Sequence, residues 1–169
     1  MTQYVEAMQN VGWLGTIGGL ALALLGFVPV LAYPAQPLFP RYRSRGREGQ
    51  RELAFVFTGV GYTIAFLWAL LAGVSPEIRT ICAGYFFSAL FLTLCNRVLH
   101  RRASGHACSA AGPLLFLIYY FGWWMLLPSI VIGWLVAWAS VALKRHTPTD
   151  LLWGALCSAA GFAIAVLWF

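Results

Sequence analysis

Charge is what this sequence has least of. Only 9% of its 169 residues are Asp, Glu, Lys or Arg, and Asp150 is the only aspartate. A soluble domain of this size needs a polar surface, and these residues cannot cover one, so the soluble globular class is excluded. Period-2 alternation of apolar and polar residues is also missing, which excludes a transmembrane β-barrel. The first ten residues contain Glu6 and no Lys or Arg, and the first apolar run is too long for an h-region, so no cleaved leader is predicted. The four cysteines, Cys82, Cys95, Cys108 and Cys157, lie scattered in or beside apolar runs. That pattern argues against a disulfide framework or a zinc cage and predicts buried free thiols acting as small hydrophobes. There is no internal repeat and no low-complexity segment.

Long apolar runs are what the chain does have. Hydrophobic residues make up 61% of it, and mean hydropathy is +0.78. The runs are roughly 16 to 23 residues long, close to what a helix needs to cross hydrocarbon. Every backbone N–H and C=O in lipid must be paired internally, so such runs predict an all-α, polytopic helical bundle. We place about six spans, at 11–33, 53–74, 81–95, 107–122, 123–143 and 150–169, in a single transmembrane domain covering 1–169. Pro34, Pro37 and Pro40 are expected to break the chain after the first span. Ser75 and Pro76 close the second, and Gly122-Trp123-Trp124 divides the fourth from the fifth. Pro29, Pro113 and Pro128 fall within spans as expected kinks. Trp123, Trp124, Trp138, Trp153 and Trp168 lie near span ends, where an interfacial belt belongs. Gly15 and Gly19 form a GxxxG spacing, a weak packing signal in a chain with 17 glycines.

The positive charge is asymmetric. The basic 34–52 loop holds Arg41, Arg43, Arg45, Arg47 and Arg51; the third loop holds Arg97, Arg101 and Arg102; the fifth holds Lys144 and Arg145. With six spans these loops share one side, leaving only Arg79 opposite, offset by Glu6 and Glu77. By the positive-inside rule the basic side is cytoplasmic and both termini are outside. The net charge of +6 is then read as loops facing anionic membrane lipids, with no nucleic-acid partner.

Two short motifs lie on that basic side where a loop enters a helix. One, in the 96–106 loop, ends in Ala103-Ser104-Gly105-His106; the other, in 144–150, is His146-Thr147-Pro148-Thr149-Asp150. Free N–H groups and the dipole at a helix start favour an anion. Two imidazoles, a carboxylate and guanidinium groups converging there suit phosphoryl chemistry: one His attacks phosphorus while Asp holds its tautomer, and the other protonates the leaving oxygen. Plainer roles compete. The histidines can be interfacial polar residues, Ser104 an N-cap of the fourth helix, and Asp150 an N-cap of the last at the Thr149-Asp150 boundary. His100 belongs to no motif. A metal site from His100, His106, His146 and Asp150 matches no metal-ligand spacing, so no metal and no cofactor are expected.

At these residues the chain resembles the PAP2 superfamily of type 2 phosphatidic acid phosphatases, whose motifs are KxxxxxxRP, PSGH and SRxxxxxHxxxD. Ser104-Gly105-His106 match the second motif after its proline, and His146 and Asp150 match the H and D of the third. Gly154 sits where a glycine commonly follows. The 138–147 stretch and the arginine-rich 45–52 stretch look like those of short bacterial and archaeal members. The chain departs from the pattern at Ser140, where the family has its phosphate-binding Arg, and at Ala139, where it has Ser. Ala103 replaces the motif proline, and the first motif is absent: Arg97 can stand for its Arg, but Leu90 and Val98 flank the spacing.

The resemblance implies a membrane lipid phosphatase that removes phosphate or pyrophosphate from a phosphatidate-like or prenyl lipid. It implies a phosphohistidine on His146, with His106 as acid and Asp150 as orienter, in a bacterial or archaeal cell membrane. Phosphate binding falls to Arg102, Ser104, Gly105, Arg145 and Arg97, with Arg145 and the first-loop arginines as substitutes for the missing Arg. The alternative is a non-catalytic subunit of the same fold that binds lipid, oligomerises or joins a larger membrane complex.

Overall fold

The computed structural model describes residues 18–169. The start of the first span at 11, the Gly15 half of the GxxxG and Glu6 lie outside the described residues. Every regular element among the described residues is helical. We number the helices α1 (Gly18–Leu38), α2 (Pro40–Arg43), α3 (Gly46–Leu71), α4 (Pro76–Arg97), α5 (Gly105–Phe121), α6 (Leu126–Ala142) and α7 (Pro148–Trp168). One 3₁₀ turn, Gln36–Leu38, ends α1, and another, Trp123–Met125, precedes α6. Five of these segments are long and apolar enough to cross a membrane: α1, α3, α4, the 123–142 stretch containing α6, and α7. The chain is thus compatible with a multi-pass helical membrane protein. At 17 residues α5 is apolar but shorter.

Contacts divide the described residues into two compact units, 18–82 and 83–169, with the boundary inside α4. In the first unit α1 packs along α3 at Gly61, where an added Cβ would stand 2.8 Å from the Leu24 carbonyl oxygen. Ala21, Ala65, Ala69, Val74 and Cys82 form its buried core. The small side chains let backbones approach, the usual way helices gain packing energy in lipid.

Several element ends differ from those expected. Helix α3 starts at Gly46, seven residues earlier than the second span, because Arg47, Glu48, Gln50 and Arg51 are good helix formers and Glu48 favours the helix start. Arg45 pairs with Glu52 across that first stretch. The basic 34–52 segment is therefore mostly helix, with a turn at Ser44-Arg45 in place of an open loop. Pro34 lies within α1 and does not break it; the chain turns only after Leu38. A proline close to a helix end forfeits only one hydrogen bond; at that end the Gln36 side chain holds the following turn by donating to the Tyr42 carbonyl at 3.0 Å and the Gly46 carbonyl at 2.7 Å.

In the second unit α5 and α7 pack closely together. The buried residues of α7 are Asp150, Leu151, Gly154, Cys157, Ser158, Gly161 and Ala165. Their spacing follows the helical period, so one narrow stripe faces the unit's interior. Glycine is needed at two points of it. A Cβ on Gly154 would strike the Ser104 carbonyl, and one on Gly161 would strike the Ser88 backbone. Helix α6 packs mainly on α5 and buries only Ser129. Hydroxyls within these apolar helices turn back onto carbonyls one turn earlier, as Ser88 does to Gly84 at 2.6 Å and Ser140 to Val136 at 2.7 Å. All four cysteines are free and buried, as expected for thiols acting as hydrophobes.

Candidate functional site

Both motifs lie in the second unit. Ser104 is fully buried and caps α5: its hydroxyl accepts from the Ala107 N–H at 3.3 Å. Its own N–H donates to the Asp150 carbonyl at 2.8 Å. That bond crosses forty-odd residues of sequence and fastens the start of α5 to the start of α7. Glycine at 154 permits the approach, because it lies one turn along α7 from Asp150 and leaves room for the Ser104 carbonyl.

Asp150 acts three residues after the cap. Thr147 is the N-cap of α7, its hydroxyl accepting from the Asp150 N–H at 3.2 Å, while Asp150 Oδ2 accepts from the Thr147 N–H at 3.0 Å. This reciprocal capping box corrects the expected cap at the Thr149-Asp150 boundary. The T-x-x-D spacing was a readable signal for it. It holds the carboxylate rigid at a helix start, with a side chain only 9% exposed. The same oxygen lies 4.0 Å from His146 Nδ1. His146 is just before the cap, and its side chain is 7% exposed.

His106, in the first turn of α5, brings its ring to 5.7 Å from that of His146, centroid to centroid, at a tilt of 49°. The 96–106 and 144–150 segments are thus side by side, with an exposed imidazole facing a largely buried one. In and beside the same two segments Arg97, Arg101, Arg102, Lys144 and Arg145 are exposed. Among the described residues, none of these five cations is paired with a carboxylate. No group of three or more His, Cys, Asp or Glu among the described residues is placed to hold one metal ion.

Two of the site's loop residues hold left-handed backbone: His100 at φ 49° and Lys144 at φ 52°. Lys144 closes α6. Its N–H donates to the Val141 carbonyl at 2.9 Å, and the Arg145 N–H donates to the Ser140 carbonyl at 3.1 Å. That is the Schellman pattern with lysine where glycine is usual. Non-glycine residues held in this region cost energy and gather at functional segments.

Sequence reasoning missed Asn96, on the last turn of α4. Its Nδ2 donates to the Leu92 carbonyl at 2.9 Å and the Ala103 carbonyl at 3.2 Å, and its Oδ1 accepts from the Ala103 N–H at 3.3 Å. Nothing in its spacing marks it, because its partner is seven residues away through a loop.

No protein-family model, curated protein or solved structure matches this chain.

Proposed function

We propose that this protein is a membrane phosphatase of the PAP2 type that dephosphorylates a lipid phosphate or diphosphate at the membrane interface. The observation that carries this reading is the pair of imidazoles 5.7 Å apart at two adjoining helix starts, with a capped carboxylate beside them and five exposed cations in the same two segments. His146 Nδ1 faces Asp150, which leaves Nε2 to attack phosphorus. The P–N bond forms as the P–O ester bond breaks, and the departing oxygen takes the proton carried by His106. Neutral His106 then accepts a proton from water as that water attacks the phosphohistidine, releasing phosphate. A small rotation of the His146 ring closes the 4.0 Å gap to Asp150 and stabilises the imidazolium. The N–H groups opening α5, with Arg97, Arg101, Arg102 and Arg145, take the equatorial oxygens.

In this reading the five long apolar segments and the shorter α5 all cross the bilayer. At about 1.5 Å per residue, α5 reaches most of the hydrocarbon thickness. The basic loops face the cytoplasm, and the lipid tail lies among the helices of the second unit.

The test is phosphate release from phosphatidate or a prenyl diphosphate by purified protein in detergent. His146→Ala abolishes turnover, and His106→Ala slows chiefly substrates with poor leaving groups. Inertness of the wild type toward both substrates removes the enzyme reading.

One observation favours a second reading, a non-catalytic lipid-binding subunit. Ser140, standing where the family's phosphate-binding Arg is expected, directs its hydroxyl to its own helix at Val136 and offers no cation. Ser140→Arg separates the two. A gain of activity means the native site is attenuated. No change in an active protein means another arginine already serves.

A further inference from the structure

We infer that Asn96 is a positioning residue that shapes the 97–103 segment into an anion-binding loop for the phosphate group; this rests on the phosphoryl reading of the site.

The segment between Asn96 and Ala103 carries Arg97, His100, Arg101 and Arg102. Three arginines in so short a stretch repel one another, and the stretch includes a left-handed histidine at position 100. Left to itself, such a loop would spread. The Asn96 carboxamide prevents this by pairing with both the N–H and the carbonyl of Ala103, as a strand neighbour would, at 3.3 and 3.2 Å. Its third bond, to the Leu92 carbonyl at 2.9 Å, fixes the amide to the last turns of α4. The Arg101 N–H adds a bond to the Cys95 carbonyl at 2.9 Å. Ala103 is fully buried, so its peptide groups need these partners.

The next residue makes the clamp matter for chemistry. Ser104 donates to the Asp150 carbonyl and caps α5. One side chain therefore sets a series of contacts: the end of α4, the basic loop, the start of α5 with His106, and the start of α7 with Asp150. The loop's shape is stored in the carboxamide, and the guanidinium groups are left free for a ligand.

Asparagine alone satisfies this geometry. Asn96→Asp is nearly isosteric, keeps the acceptor for the Ala103 N–H, and turns its second oxygen toward the carbonyls of Leu92 and Ala103. If Asn96 served only as packing, Asp would be tolerated; as a clamp, it fails at least as badly as Ala.

The experiment compares wild type, Asn96→Ala, Asn96→Asp and a control, Thr93→Val, which removes a hydroxyl bonded only to its own helix at Ala89. Measurements on the full chain in detergent, well below its melting temperature, are kcat and KM on phosphatidate, binding of inorganic phosphate, and amide hydrogen exchange over 97–104. The Asn96 variants are expected to lose ten- to a hundredfold in kcat/KM and phosphate affinity, on the order of what a displaced positioning group costs. Exchange at the Ala103 amide should rise about tenfold, as for a lost hydrogen bond, and Thr93→Val should match wild type.

A lowered melting temperature with KM and phosphate affinity within twofold of wild type would assign Asn96 a structural role only and overturn the inference. If the wild type is inert on lipid phosphates yet binds inorganic phosphate through Asn96, the phosphatase reading fails and the loop assignment stands. If it neither turns over nor binds phosphate, both fail. Should the Asn96 variants not accumulate, wild-type exchange decides: an Ala103 amide as fast as that of exposed Arg102 overturns the clamp, and a protected one supports it.

Discussion

A methyl group at position 154 should open the junction between the two motifs. In Gly154→Ala the new Cβ meets the Ser104 carbonyl, with the Ala107 Cβ at 3.0 Å as its next neighbour. Neither obstacle is a flexible side-chain end, so α7 must retreat from α5 by on the order of 1 Å to restore ordinary contact. The 2.8 Å bond from the Ser104 N–H to the Asp150 carbonyl then lengthens past useful range. Overpacking costs about 1–3 kcal/mol and the lost bond about 1, while the better helix propensity of alanine returns about 1. The net is a destabilisation of about 1–3 kcal/mol, a fall of roughly 3–10 °C in Tm. Activity should suffer more than stability, because a displacement near 1 Å at reacting groups can cost about a hundredfold in rate. The assay pairs thermal melts in detergent with phosphate release, using Gly59→Ala as control, since a Cβ there meets nothing within 4 Å. Gly154→Ala melting with or above Gly59→Ala would refute the close approach on which the site's geometry depends.

Lys144→Gly relieves a left-handed lysine and should raise stability by about 1 kcal/mol in the same melts; a lower Tm would mean the lysine side chain outweighs the strain. Asp150→Ala removes half of the capping box and should cost about 1–2 kcal/mol while also suppressing turnover. Asp150→Asn, which can still accept from the Thr147 N–H, should recover stability ahead of activity, and equal recovery of both would make the carboxylate a cap only. Single cysteines placed in the 34–52 segment should react with a reagent added on the cytoplasmic side; labelling from outside would reverse the orientation and move the site to the opposite leaflet.

Much of the helical layout could be read along the chain, because an apolar run in a charge-poor sequence leaves the backbone no other way to satisfy its hydrogen bonds. The breaks at 72–75, 98–104 and 143–147 fell near where proline, glycine and clustered basic residues pointed. The misjudged ends have local causes: Pro34 sits close enough to the end of α1 to be carried within it, and polar helix formers extend α3 back through Arg47 to Gly46. Hydropathy cannot register either effect, since it weighs burial and ignores helix propensity. At the site, His106, His146, Asp150 and Ser104 were legible as motif residues, whereas Asn96 was not, because an amide's value depends on which backbone groups it meets.

By itself, then, the sequence determined the helical class, the long apolar segments and the concentration of cations at a few breaks between them. These follow from residue composition averaged over one helix length, and no distant contact is needed to set them. Only the tertiary structure decided that 96–106 lies against 144–150, that Asp150 closes a cap with Thr147, and that α6 stays at the edge of its unit. Those outcomes depend on where backbones can approach within van der Waals range. Single glycines such as Gly154 and Gly161 control that approach, and their effect appears only when the opposing helix is in place.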